Sequence, residues 1–206
     1  MIRSKKELKF YIMADSMMNC GYFNRSISKL LQDIFFPDHT MRFLKAMRKA
    51  SYYSHQKGLK NSFLAEFYKL HQKRLGIKMG WSIAADSLGY GLLLPHWGTI
   101  VVGQNKIGNY AVLHTSTCIS GNMKTIGDAL YVATGAKLTS KVDLGDNVTI
   151  APNAVVTKSF LEGNVLLGGI PANVIKQSEP WYVRDGEEYY SKVRKIESLK
   201  QQMNID

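Results

Sequence analysis

Between Val101 and Val156 an aliphatic side chain returns every six residues. Val101, Ile107, Leu113 and Ile119 are spaced by six; after one seven-residue step, Ile126, Val132, Leu138, Leu144, Ile150 and Val156 follow at six again. A small residue follows most of them, among them Gly108, Ser120, Gly127, Ala133, Thr139, Gly145 and Ala151. An α-helix, at about 3.6 residues per turn, cannot hold this phase, and a half-buried strand alternates every second residue. A parallel β-helix does hold it: each short strand sends one aliphatic side chain inward and then turns a corner. A run of ordinary antiparallel hairpins drifts in length and loses the phase.

Around this run the chain divides in three. Residues 80–179 form the repeat domain, 1–79 a helical module before it, and 180–206 a helical tail. The net charge of +11 is confined to the first of these in chain order: residues 1–79 hold sixteen Lys and Arg against five Asp and Glu, whereas the other two segments are balanced. Such a face is ordinarily solvated; its sharper reading is contact with an anionic membrane surface or a pyrophosphate-linked substrate. Nucleic acid ranks last, because no zinc-finger spacing, RNP aromatics or basic heptads are present. In the module, Ser4 and Glu7 read as a capping box and Gly21 as a helix stop. A short segment at 28–36 ends at Pro37, and Asp38 caps the next helix, which runs toward Gly58. Asn61 or Ser62 caps a fourth, closed by Gly76, with Phe63, Phe67 and Leu70 as its core stripe. In the tail, Tyr190, Val193, Ile196 and Leu199 mark a helix laid on the repeat domain or a neighbouring subunit. Two cysteines make neither a disulfide framework nor a metal cluster, and no stretch nears the ~18 apolar residues of a membrane span. With no apolar leader near Met1, the expectation is a cytoplasmic protein.

Of five histidines, His39, His55 and His71 fall on basic helical segments and read as surface residues. His96 lies in Leu94-Pro95-His96-Trp97-Gly98, a corner where a side chain can leave the stack and act as a general base near neutral pH. His114 follows the inward Leu113, eighteen residues on, so the two imidazoles fall on adjacent coils. Two histidines cannot build a three-imidazole zinc site, and no G-x-S-x-G elbow is present. A base without a covalent nucleophile fits direct transfer of an activated group to a bound hydroxyl or amine.

Several pieces then carry a family resemblance: His96-Trp97-Gly98-Thr99-Ile100-Val101-Val102, Gly135-Ala136-Lys137, Ala151-Pro152-Asn153-Ala154-Val155-Val156-Thr157-Lys158 and Gly168-Gly169-Ile170-Pro171-Ala172. With them, residues 80–175 resemble the serine-acetyltransferase-like branch of the hexapeptide-repeat acyltransferases. The resemblance implies a left-handed parallel β-helix, a homotrimer or dimer of trimers, and acetyl-CoA as cosubstrate without a metal. It implies that His96 takes the acceptor's proton, and that Thr134, Ala151 and Pro152 line the pantetheine arm. Lys158, Gly169 and Pro171 would border the adenosine-phosphate end.

Three departures stand out. The family's orienting aspartate aligns near Ser82, leaving Asp86 as the nearest carboxylate. The substrate loop that carries a second histidine shrinks to Ser120-Gly121-Asn122-Met123-Lys124, and Asn173 stands where a basic residue follows the P-A turn. On these grounds the sequence points away from L-serine. Within this group the chain looks most like the branch that O-acetylates sugars, so the resemblance implies a sugar hydroxyl in surface or capsular polysaccharide biosynthesis as acceptor, with the enzyme peripheral at the inner membrane surface. Serine O-acetyltransferase is the alternative, and a non-catalytic scaffold at the membrane surface is the alternative of another class.

Overall fold

The computed structural model describes every residue except Arg25, Asn122, Met123, Ser140 and Asp206, and leaves out the Leu30 side chain. Four helices come first: α1 (Lys5–Cys20), α2 (Ile27–Phe35), α3 (His39–Ser54) and α4 (Leu59–Met79). Ten short strands follow: β1 (Trp81–Ile83), β2 (Ile100–Val102), β3 (Lys106–Ile107), β4 (Val112–Leu113), β5 (Thr117–Ile119), β6 (Thr125–Ile126), β7 (Tyr131–Val132), β8 (Lys137–Leu138), β9 (Thr149–Ile150) and β10 (Val155–Val156). The hairpin β11 (Val165–Gly169) and β12 (Ala172–Gln177) closes the series, before α5 (Trp181–Arg184) and α6 (Glu187–Gln202).

All strand pairs in the coils are parallel, and they build a three-sided prism of five coils. On one face Ile83, Val102, Ile119, Leu138 and Val156 stack in register. On the second, Leu88, Ile107, Ile126, Leu144 and Phe160 do so. Leu113, Val132, Ile150 and Leu167 stack on the third. These side chains are buried, apart from the partly buried Phe160, and they form one continuous core. Nine of the ten residues on the six-residue beat therefore point inward. Val101 does not: β2 turns Ile100 and Val102 in and leaves Val101 half-buried. Its neighbour Val102, five residues before Ile107 and so off the beat by one, takes the inward place, paired with Ile119.

Corners are tight because successive coils lie one strand spacing apart. A methyl group on Gly108 would sit 2.7 Å from the Asp128 nitrogen, and one on Gly127 equally close to that of Asp146. The freed space is used by the stacked carboxylates, since Asn109 N–H donates to Asp128 Oδ1 and Asp128 N–H to Asp146 Oδ1, each at 2.7 Å.

The helical module meets the first coil through a buried ion pair. Asp15 of α1 and Arg48 of α3 are no more than 1% exposed and 2.8 Å apart. Arg48 also donates to the carbonyls of Leu88 and Gly89, and Leu92 N–H donates to Asp15. Burial pushes the Asp15 carboxyl up, against the opposing pull of Arg48. Arg48 thus departs from the solvated basic face expected of this module. Lys6 Nζ reaches the Asn204 carbonyl at 3.0 Å, so α1 and the end of the tail lie side by side. Val193 and Ile196 of α6 are buried against them, while Tyr190 is 38% exposed.

Helix capping follows the sequence in part. Glu7 N–H donates to Ser4 Oγ, Met41 N–H donates to Asp38, and Gly21 is left-handed at φ 79°. Glu7 itself caps Arg3 N–H rather than Ser4. The fourth helix corrects two expectations. It starts at Leu59 after Gly58, and it runs through Gly76 to a left-handed Gly80. Phe63, Phe67 and Leu70 are 72%, 52% and 62% exposed, so the aromatic stripe is not its core. α4 packs through Ala65, Gln72, Leu75, Gly76 and Met79, because a Cβ at Gly76 would fall 2.3 Å from the Trp81 carbonyl. Close approach requires the small face, which turns the bulky one outward.

Candidate active site

His96 projects from the corner before β2. Buried Leu94 anchors one side of this corner, and Gly98, at φ 137°, releases the chain on the other. Trp97 Nε1–H donates to Thr40 Oγ1 at 3.2 Å, tying the corner to α3. The His96 ring is exposed. His114, directly after Leu113, is fixed through its backbone. Its N–H donates to the Val132 carbonyl at 3.0 Å, and Thr117 Oγ1 donates to its carbonyl at 2.6 Å. The two imidazoles come together as the eighteen-residue spacing implied, with ring centroids 6.4 Å apart and planes tilted by 48°. Burial pushes the His114 pKa down, the His96 charge adds to this, and Asp185 opposes it.

Four further residues complete this edge, and the sequence reading missed them. The Tyr131 ring lies 5.1 Å from that of His114. The Arg184 guanidinium covers the other ring system at 4.9 Å from the Tyr131 centroid, donates to Thr149 Oγ1 at 2.9 Å and pairs with Asp185 at 2.7 Å. Trp181 mounts this group: it is 1% exposed, and its Nε1–H donates to the Tyr110 carbonyl at 2.8 Å. Tyr131 and Thr149 each precede an inward residue of the beat, which marks them as outward-facing, but nothing local ties them to Arg184, 53 and 35 positions away.

Next to the histidines runs a strip of small residues. His114, Ala133, Ala151 and Gly168 follow the stacked Leu113, Val132, Ile150 and Leu167, so they form one row along the prism edge. Thr134 and Pro152 are exposed beside that row and Ala151 is half-buried. At its far end Gly169 and Pro171 are exposed in the β11–β12 turn. Lys158 Nζ donates to Asn173 Oδ1 at 3.0 Å and lies 5.4 Å from the Phe160 ring centroid. Asn173 in turn donates to the Pro171 carbonyl at 3.2 Å. Asn173 thus holds Lys158 at the turn.

Asp86 lies elsewhere. Its carboxylate accepts from Ser51 and stands 3.7 Å from His55 Nε2, so its partners are on α3 and not at His96. Asp86 and Ser82 line a groove of about 1080 Å³ together with Trp81, Asn105 and Lys124; His96 is not among its lining residues. The paired imidazoles of His96 and His114 lie outside this groove. Of the short loop, Asn122 and Met123 lie outside the described residues, while buried Lys124 donates to the Ser120 carbonyl. Among the described residues no three His, Cys, Asp or Glu side chains group as a metal cage. No described helix is long and apolar enough to cross a membrane.

No protein-family model matches the chain. Curated relatives do: the serine acetyltransferase of Synechococcus elongatus is 28% identical over 99 residues, 44% of this chain and 40% of that protein. The serine acetyltransferase of Staphylococcus aureus is 29% identical over 98 residues, 44% of this chain and 46% of its own length. The matched segment thus spans less than half of either relative. Among solved structures, serine acetyltransferase from Brucella abortus strain S19 superposes with a TM-score of 0.60 at 22% identity, covering 84% of this chain and 69% of that one. The same enzyme in complex with coenzyme A gives 0.59 at 22% identity, covering 84% and 68%. Neisseria gonorrhoeae serine acetyltransferase in complex with serine gives 0.59 at 18% identity, covering 84% and 71%. These structures share the fold, a hexapeptide-repeat β-helix of the serine acetyltransferase type.

The relatives overturn the sugar acceptor expected from the sequence, and with it the glycan partner and the role in polysaccharide biosynthesis. That expectation rested on a missing aspartate, a shortened loop and a likeness to sugar O-acetylating enzymes. Losing one recognition element does not specify another, and the curated relatives that match are serine acetyltransferases.

Proposed function

We propose that this chain is an acetyl-CoA-dependent acyltransferase that moves an acetyl group onto the hydroxyl of serine. The observation that carries the reading is His96, exposed at a corner at the head of a small-residue row, in a β-helix whose curated relatives are serine acetyltransferases. In the proposed reaction a neutral His96 ring accepts the hydroxyl proton as that oxygen attacks the thioester carbonyl. The new C–O bond forms, the C–S bond breaks, and the imidazolium returns its proton to the departing thiolate. The products are the O-acetyl ester and free coenzyme A.

The coenzyme's long arm fits the row beside His114. Ala133, Thr134, Ala151 and Pro152 offer a floor without bulky side chains. Four coil rises of ~4.8 Å separate the His96 level from Gly168 by roughly 19 Å. At that end Lys158 is the cation for a phosphate, held by Asn173 at 3.0 Å. The homotrimer implied by the resemblance is part of this proposal, and a monomeric mass by light scattering at assay concentration would remove it.

The test is coenzyme A thiol release from acetyl-CoA, with and without L-serine. A serine-dependent rate is expected, with a thermal upshift on adding acetyl-CoA alone. A rate that serine does not change overturns the acceptor. Absence of any thermal shift overturns the cosubstrate.

A further inference from the structure

We infer that His114 is a positioning residue for His96, filling the role that a carboxylate has in the serine acetyltransferase pattern, and that Asp185, the C-cap of α5, supports it. The inference rests on the function proposed above.

A base that gains a proton works best when its ring is held and its new charge has somewhere to spread. In this chain the aligned position is Ser82, which lines the groove with Asp86, and the Asp86 carboxylate is engaged by Ser51 and His55. The polar group that does stand next to His96 is a second imidazole. With centroids 6.4 Å apart, ring nitrogens turned toward each other would stand roughly 4 Å apart, a gap that one water can bridge with hydrogen bonds of about 2.8 Å. His114 is itself immobilised from both sides. Its backbone is bound at the N–H and the carbonyl, and its ring lies against Tyr131. Tyr131 is pinned by Arg184, which Thr149 and Asp185 hold in turn.

The charged and titratable groups around His114 are therefore His96 from the preceding corner, Tyr131 from β7, Arg184 from α5 and Asp185 at its C-cap. Burial keeps His114 neutral, as does any proton on His96, while the Asp185 charge tempers both effects. A neutral His114 can share, through the water, the proton that His96 takes from the acceptor. The proton count of the transfer is unchanged, because His96 still delivers it to the leaving thiolate.

His114→Leu, His114→Gln and Asp185→Asn, each checked for an unchanged melting temperature, test this. His114→Leu should lower kcat roughly 10- to 100-fold with both KM values within about twofold. His114→Gln, which keeps a hydrogen-bonding group, should recover most of that loss. In the wild type the acid limb of log(kcat/KM) should steepen from a slope of about one to about two as both imidazoles protonate; in His114→Gln it should stay at about one. Asp185→Asn should move the steepening to lower pH, because a charge that raises the His114 pKa is gone. A His114→Leu enzyme with kcat within about twofold of wild type, or an acid limb common to all variants, overturns the inference. An NMR titration of the ring resonances reads the pair without turnover: a coupled two-step titration, reduced to one step in His114→Gln, is expected. Independent titration of the two rings overturns the inference. A wild type that ignores serine yet titrates as a coupled pair would instead count against the proposed acceptor.

Discussion

Ionisable side chains converge at two places in this molecule, and the two differ in how fully they are satisfied. At the joint between helices and prism, Asp15 and Arg48 are sealed from solvent and bonded on nearly every side, by each other and by the backbone of Leu88, Gly89 and Leu92. At the prism edge, His96 is exposed, His114 is half-buried, and their ring centroids lie 6.4 Å apart at a tilt of 48°. A saturated network fixes geometry and has no capacity left for a ligand. An unsaturated one, held by a saturated frame behind it, is where a substrate can complete the set.

Three measurements sharpen that contrast. Removing the base by His96→Ala should cut turnover about 10²- to 10⁴-fold, with the melting temperature unchanged; a matching loss of stability would mean the ring is structural. Arg48→Met should do the reverse. It leaves Asp15 buried without its partner, a loss of roughly 3–5 kcal/mol, read as a lower urea midpoint, while turnover per folded molecule stays near wild type. The double variant Arg48→Met with Asp15→Leu should regain much of that stability, and failure to do so would show that the joint needs its charges. The smallest effect is on pH. The folded-state pKa of His114 lies below its ordinary value near 6.5, so below that value the unfolded chain binds more protons than the native one. Stability is therefore complete above about pH 6.5 and declines as pH falls through that range. His114→Gln should flatten this decline, a change visible in melting temperatures between pH 7 and 5.

The prism was legible because its constraint is periodic: one inward side chain per face, repeated four or five times, survives as a beat that no other element produces. Even the error at Val101 is a single-residue slip between adjacent valines. The helical module offered no such redundancy. Phe63, Phe67 and Leu70 form a good amphipathic stripe, but the side of α4 that packs was chosen by Gly76 against Trp81, a contact across elements that helical spacing cannot register. The candidate site divides the same way. His96 and His114 were readable from their coil positions, and their proximity followed from eighteen-residue spacing. Tyr131, Thr149, Arg184 and Asp185 join them only because Trp181 buries itself beside Tyr110 and brings the tail back over the third face. Asp86 shows the opposite failure, since nearness in sequence to the expected aspartate put it on the α3 side of the coil.

The final hairpin also has a bearing on how this molecule stays discrete. A stack of parallel rungs has no intrinsic length limit, and its last rung would present unpaired amide and carbonyl groups to any similar edge. β12 folds back antiparallel onto β11, from Val165 opposite Gln177 to Gly169 opposite Ala172, so the terminal strand runs the wrong way to template another coil. On this face the parallel stack thus ends on a reversed strand, much as an atypical terminal repeat ends other solenoids.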